Sequence, residues 1–200
     1  MKIIKRNEAI TLICKKEMKS LNKEDREGHI LNMWSIDEKD IEFNSLSKVL
    51  KKEIMFNEYP ARNLKNPHYD KLIFLSLSSK FKGVTNFFIS IKLFKIGFGK
   101  YYVYGEIEKL EICPCCNYNT LDARGEYDIC PLCYWEDTGV NELDIYVSIN
   151  QQSLGEAKTK FDKIKNSLFE IKNQKYLKKC DVHVISNRPN IIPPKKMSDF

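Results

Sequence analysis

Apolar residues recur every three or four positions through most of the first hundred residues, the spacing of helices that bury one face. The pattern predicts five helices: over residues 6–19, after an Asn22 cap, after an Asn44 cap, over about 68–82, and from Thr85 or Asn86. For the third and fifth helices, the expected core residues are Leu46, Val49, Leu50 and Ile54, and Phe87, Phe88, Ile91 and Phe94.

The pattern changes after residue 100. Tyr101–Tyr104 is aromatic and β-branched, which predicts a strand leading into the first cysteine turn. A second extended segment is predicted at Leu143–Val147. Ser153 and Glu156 have the spacing of a capping box, which predicts the start of a long amphipathic helix. Its expected apolar seam consists of Ala157, Phe161, Ile164, Leu168 and Ile171.

These elements predict a mainly α fold with a small β and zinc-knuckle subdomain, an α+β protein. We expect a helical region at residues 1–99 and a zinc-knuckle subdomain at 100–150. An amphipathic helix at 151–177 would pack on the rest, and a partly loose tail would follow at 178–200. A short strand is a candidate within that tail, at 182–185.

The most informative stretch contains two copies of a Cys-Pro-x-Cys motif, with thirteen residues between them. The copies are Cys113-Pro114-Cys115-Cys116 and Cys130-Pro131-Leu132-Cys133. A turn with two residues between cysteines brings both sulfurs to one point, and proline stiffens it. Two such turns predict a zinc-ribbon-like element that holds one structural Zn²⁺. The predicted tetrahedral ligands are Cys113, Cys116, Cys130 and Cys133.

Other chemistries for these cysteines stay open. Iron in a rubredoxin-like site, or a disulfide or redox dithiol, would use the same spacing. Cys115 lies between two ligands and should point away from the ion, as a small filler or as a reactive thiol. Cys180 and His183 have ligand-like spacing, but on a strand they would face opposite sides.

Side chains around the two turns have structural interpretations. Trp135 is expected to shield the sulfurs, with Glu136 and Asp137 capping a turn, although an exposed recognition edge is the alternative. Arg124, in the acidic loop between the turns, is expected to form a local ion pair rather than to join a catalytic carboxylate set.

Composition favours a soluble globular chain, with 42% hydrophobic and 30% charged residues. The most apolar stretch, residues 84–98, is interrupted by two lysines and is too short to span a membrane, so no membrane association is expected. Seven cysteines, an odd number, and the absence of an apolar leader predict a cytoplasmic protein.

The net charge of +6 is concentrated near the carboxyl end, where residues from 158 onward contain eleven bases and four acids. Lys158, Lys165 and Lys172 recur every seven residues along the predicted helix. Such a row could track nucleic-acid phosphates, or it could be a solvated face whose lysine stems cover the apolar seam.

Residues 113–137 also carry a family resemblance. The segments CPCCNY, TL, RG, YDICP and CYWED resemble the bacterial cysteine-rich CPCC family, which usually has glycine in place of Asn117 and phenylalanine in place of Tyr134. The resemblance implies a zinc-binding bacterial protein, with an immunity or partner-binding role, since some members lie near polymorphic toxins.

We therefore predict a non-enzymatic zinc protein that binds another protein, as an immunity protein that caps a toxin domain. Four thiolates would leave no open position for catalysis at the ion. One alternative is a nucleic-acid-binding zinc-knuckle protein that uses the basic helix. The second alternative is a thiol-redox protein that uses Cys115.

Overall fold

The computed structural model describes residues 2–60, 64–172 and 174–178, and the chain divides into two units, residues 1–108 and 109–200. Helices, small two-stranded sheets and a cysteine cluster confirm the predicted α+β character. The four-part division expected from the sequence stays a prediction. None of the described helices is long and apolar enough to cross a membrane.

Five helices and one parallel strand pair form the first unit in the described residues. Strand β1 pairs with β2 so that Lys2 lies opposite Tyr101. Leu72, Ile73 and Ile89 are fully buried in its core. The elements are β1 Lys2–Lys5, α1 Arg6–Ser20, α2 Lys23–Asn32, α3 Lys48–Phe56, α4 Asp70–Ser79, α5 Asn86–Lys95 and β2 Tyr101–Tyr104.

Two of the predicted helix caps are confirmed, and one is wrong. Asn22 accepts from the backbone N–H of Asp25, and Thr85 accepts from that of Phe88. Asn44 caps nothing, because it lies within the 3₁₀ turn Ile41–Ser45, and Ser47 caps α3 instead. Both residues are good cap formers, so local sequence does not separate them.

The predicted core faces of α3 and α5 are only partly correct. Leu50 is buried, but Val49 is exposed. In α5, Phe88 is buried together with Ile89 and Leu93. Phe87 and Phe94 are exposed, because the buried stripe is rotated by about one residue from the predicted one.

Arg6 is a buried cation at the start of α1, with 3% of its surface exposed. Its guanidinium donates to the carbonyls of Phe81 and Val84 at 2.8 and 2.7 Å. It also pairs with Glu108 at 2.6 Å. These contacts tie the β1–α1 junction to the turn that precedes α5 and to the end of this unit.

The strand predicted at Tyr101–Tyr104 is present, but it pairs with β1 of the first unit. The strand that leads into the first cysteine turn is β3, Glu111–Ile112, which pairs antiparallel with β4, Asn119–Leu121. An isolated bridge between Tyr118 and Lys178 brings a later part of the chain beside this hairpin.

Strands β5 and β6 and helices α6 and α7 follow the cysteine turns in the second unit. The two strands pair antiparallel. Strand β5 lies within the segment predicted to be extended, and β6 follows that segment in the chain. The capping box is confirmed, since Ser153 and Glu156 bond to each other's backbone N–H. The bounds are β5 Tyr146–Val147, β6 Gln152–Ser153, α6 Leu154–Ile164 and α7 Phe169–Lys172.

The long carboxyl-terminal helix predicted over 151–177 is interrupted. After α6, residues Lys165–Ser167 form a 3₁₀ turn and Leu168 is extended. Ser167 donates its hydroxyl to the carbonyl of Ile164, a local bond that competes with helix continuation. Of the predicted seam, Ala157 and Phe161 are buried, Leu168 and Ile171 are partly buried, and Ile164 is exposed.

The expected loose tail, the strand candidate at 182–185, and Cys180 and His183 lie outside the described residues.

Candidate metal centre

The two cysteine turns have the same backbone geometry. In the first, the N–H of Asn117 donates to the carbonyl of Cys113, and the N–H of Cys113 donates to the carbonyl of Tyr118, at 3.0 and 2.9 Å. In the second, the N–H of Tyr134 donates to the carbonyl of Cys130, and the N–H of Cys130 donates to that of Trp135, both at 2.9 Å. The sequence repeat is therefore a structural repeat.

Each turn ends in a left-handed residue. Asn117 has a φ of 62° and Tyr134 has a φ of 60°. Asparagine tolerates this conformation, whereas an aromatic side chain adopts it at a cost. Tyr134 therefore has a locally unfavourable backbone, although its side chain is 78% exposed.

The structure brings together the four predicted ligand sulfurs. The Sγ atoms of Cys113 and Cys133 are 3.6 Å apart, those of Cys116 and Cys130 are 3.7 Å apart, and all four lie within 4.8 Å of one another. Sulfurs placed about 2.3 Å from a central ion in a tetrahedron are about 3.8 Å apart. A disulfide requires about 2.05 Å. The separations therefore fit one tetrahedral metal ion and no disulfide.

Hydrogen bonds make the four thiols unequal. The pKa of Cys130 is lowered, first by hydrogen bonding with Cys113 and then with Cys116. The pKa of Cys116 is raised, first by its hydrogen bond with Cys113. Thr120 Oγ1 lies 3.1 Å from Cys130 Sγ, and the N–H of Leu132 donates to the same sulfur at 3.5 Å. Such contacts stabilise a thiolate and orient it toward a cation.

An apolar shell encloses the sulfurs. Trp135 is 1% exposed and belongs to the same buried cluster as the cysteines, as expected of a shielding side chain. Strand β4 contributes Leu121, and α6 contributes Leu154 and Phe161. The core of this unit is thus assembled around the cysteine cluster.

Asp137 is a fully buried carboxylate near the second turn. Its Oδ2 accepts from Arg124 Nε at 2.7 Å and from the N–H of Gly125 at 2.8 Å. Arg124 therefore forms an ion pair as predicted. The burial of Asp137 was not evident from sequence, because a Trp-Glu-Asp run is also typical of a surface turn.

Cys115 is outside the group of four sulfurs but is not exposed. Only 4% of its surface is accessible. This burial agrees with a small filler residue. Cys14, predicted to be a core residue, is fully buried in α1, and burial raises the pKa of its thiol to about 12.

The row of lysines at seven-residue spacing does not lie on one continuous helix. Lys158 is in α6, and Lys165 begins the 3₁₀ turn that interrupts the predicted helix. Lys165 also pairs with Asp162 at 2.9 Å. The side chain of Lys172 lies outside the described part of the chain.

Residues 111–176 match the protein family described as Cysteine-rich CPCC. The matched stretch is called the CPCC region below. The match covers about a third of the chain and confirms the predicted resemblance there. No curated protein and no solved structure matches the chain significantly. The CPCC region contains the two cysteine turns, the shell and α6, all within the second unit.

Proposed function

We propose that Cys113, Cys116, Cys130 and Cys133 bind one structural Zn²⁺ as four thiolates. The observation that carries the proposal is the spacing of their sulfurs, which matches the edges of a tetrahedral zinc–thiolate site. When bound, the ion would cross-link the two turns and balance part of the thiolate charge. Four protein ligands fill its coordination shell, so the ion would serve structure rather than catalysis.

Zinc binding would contribute much of the folding free energy of the CPCC region. Structural zinc in small domains contributes about 10–16 kcal/mol at neutral pH. The strands here are short, with two residues in β3 and three in β4, and they provide few backbone hydrogen bonds of their own. The region would therefore fold together with its ion.

We further propose that the protein acts by binding another protein, as an immunity protein that blocks a cognate bacterial toxin domain. A zinc-fixed surface loses little conformational entropy on association, which favours binding by occlusion. The resemblance to the CPCC family supports this role, because that resemblance implies an immunity or partner-binding protein.

Metal analysis and one matched cysteine pair test the zinc proposal. Protein purified under reducing conditions should contain one zinc per chain. Cys130→Ser should lose zinc and lower the melting temperature by more than about 10 °C, because one ligand is gone. Cys115→Ser, at an equally buried cysteine outside the predicted ligand set, should retain the zinc. Absent zinc, or an unchanged melting curve for Cys130→Ser, would contradict the proposal.

Co-expression tests the partner-binding role. Products of neighbouring reading frames would be expressed with and without this protein, and growth would be measured. We expect one product to be toxic alone and neutralised by the wild-type chain, with Cys130→Ser failing to neutralise it. Failure to rescue growth from any co-encoded toxin would contradict the immunity role and leave the zinc proposal intact.

A further inference from the structure

In the second unit, exposed apolar side chains are concentrated in the stretch that contains and follows the second cysteine turn. Within the second unit, seven such side chains between residues 127 and 149 are at least half exposed. They are Tyr127, Ile129, Tyr134, Leu143, Ile145, Tyr146 and Ile149. Contiguous patches of exposed apolar side chains mark interaction sites, and tyrosine is prominent among the residues that dominate interface energies.

Hydrogen bonds join the two stretches that carry these side chains. Ile129 lies opposite Glu136 in an antiparallel bridge on the hairpin of the second turn. The side chain of Asn150 bonds both backbone groups of Glu136, at 2.8 and 2.9 Å. The segment ending at Asn150 therefore lies directly beside the hairpin that carries Ile129 and Tyr134.

The same stretch is acidic although the whole chain is basic. Residues 113–150 contain seven acids and one base, Arg124, which is paired with the buried Asp137. Glu126, Glu142 and Asp144 are exposed among the apolar side chains. Asp144 lines a cleft together with Lys160 and Lys163 of α6. The acidic part of the surface therefore ends at this cleft.

Two of the exposed tyrosines have an unfavourable backbone conformation. Tyr127 and Tyr134 have φ values of 62° and 60°. Glycine or asparagine would fit such positions at lower cost, as Asn117 does in the equivalent place of the first turn. An exposed aromatic side chain at a position where it raises the backbone conformational energy indicates that the side chain itself has a role, such as binding.

We propose that this surface binds a basic segment of a partner protein, one that carries lysine or arginine side chains beside apolar ones. We call it the acidic tyrosine face and define it as Glu126, Tyr127, Ile129, Tyr134, Glu142, Leu143, Asp144, Ile145, Tyr146 and Ile149. The carboxylates would steer and orient a basic partner, and the tyrosines would bury against its apolar residues. This inference rests on the proposed partner-binding function and specifies the surface and the partner's chemistry.

A displayed library of random dodecapeptides tests the face without a known partner. The full-length zinc-loaded protein would be the target, and enriched peptides would be sequenced and synthesised. We expect enriched peptides to be rich in lysine and arginine, with aromatic or aliphatic residues between them. Their affinity should decrease steeply with salt, because the charges involved are exposed. Failure to enrich peptides, or enrichment without a positive bias, would overturn the proposal.

Two matched triple variants locate the binding surface. The face variant carries Glu126→Lys, Glu142→Lys and Tyr134→Asn, the last copying Asn117 of the first turn. The control variant carries Glu38→Lys, Glu58→Lys and Tyr59→Asn, the same changes at exposed residues of the first unit. The selected peptides should bind the face variant at least about tenfold more weakly and the control within about twofold. Equal weakening in both variants would show a net-charge effect and overturn the proposal.

Zinc content and a single variant separate this test from the zinc proposal. Both triple variants should retain one zinc per chain, so weakened binding with normal zinc reports on the face alone. If the face variant loses zinc, the single variant Tyr134→Asn is tested in place of the triple variant. It should bind the selected peptides about threefold or more weakly than the wild type. Duplex DNA is a further probe, and tighter binding to DNA than to the basic peptides would overturn the choice of partner.

Discussion

The side chain of Asn150 makes two hydrogen bonds to the backbone of Glu136. Its Oδ1 accepts from the Glu136 N–H at 2.9 Å, and its Nδ2 donates to the Glu136 carbonyl at 2.8 Å. The amide thereby replaces a neighbouring strand at an edge where, among the described residues, the hairpin of the second cysteine turn has none. One side chain thus connects the segment before β6 to that hairpin.

Replacing Asn150 with alanine should destabilise the protein by about 1–2 kcal/mol, because two partly buried backbone groups lose their partners. Denaturant unfolding of zinc-loaded protein measures the change. Asn141→Ala is the control, since Asn141 accepts an exposed bond from Arg124 and its loss should cost about 0.5 kcal/mol or less. A smaller effect for Asn150→Ala than for Asn141→Ala would contradict the role of the amide.

Removing Arg124 should be more costly. Arg124→Ala leaves the fully buried Asp137 carboxylate without its cation, and we expect a loss of about 3 kcal/mol in unfolding free energy. Lys165→Ala removes an exposed ion pair with Asp162 and should change stability by less than about 0.5 kcal/mol. Equal effects of the two changes would show that the burial of Asp137 does not matter.

Tyr134→Gly should stabilise the zinc-loaded protein by about 1 kcal/mol, because glycine adopts a φ of 60° without the steric cost that tyrosine incurs. Asn117→Gly, at the equivalent position, should change little, since asparagine already tolerates this conformation. Thermal unfolding compares the two variants. A destabilised Tyr134→Gly protein would mean that the exposed ring makes stabilising contacts.

Stability in acid should depend on Glu108. Burial is the largest single influence and raises the pKa of its carboxyl. The Arg6 hydrogen bond, backbone N–H donors and the Arg6 charge together outweigh burial, so the net pKa lies below the ordinary value of 4.5. A lowered folded-state pKa contributes stability above the unfolded value, and the contribution is lost as pH falls through the folded pKa. Wild type should therefore be more stable than Glu108→Gln at pH 7.

The stability difference between wild type and Glu108→Gln should shrink as the pH falls below 4.5. Urea unfolding of both proteins across this range measures it, and any loss of metal in acid affects both alike. A constant difference between pH 7 and the acid limit would show that ionisation of Glu108 is not the cause.

Features set by near neighbours in the chain were predictable. The spacing of Cys113 and Cys116 fixes a local turn, so the four-sulfur cluster followed from two copies of one motif. The capping box of Ser153 and Glu156 also involves residues only three apart. In both cases the geometry depends on a few backbone angles, and the side-chain types specify them.

Features that depend on distant pairing were not predictable. Strand β2 was assigned to the cysteine subdomain because nothing in Tyr101–Tyr104 indicates a partner at the other end of the unit. Arg6 stands in a charged amino-terminal run, yet its carbonyl partners lie more than seventy residues away. The hydrogen bond from the Asn119 N–H to the Leu177 carbonyl, at 2.9 Å, is equally non-local.

Thr120 belongs to the hairpin of the first cysteine turn, yet its hydroxyl makes a hydrogen-bond contact with the sulfur of Cys130 in the second turn. For one hairpin to release an ion held between the turns, this contact between the hairpins would also have to break. We therefore expect isotopic exchange of bound zinc to be as slow as unfolding of the region. Thr120→Val should accelerate that exchange, so a threonine that is not a ligand would set the residence time of the metal.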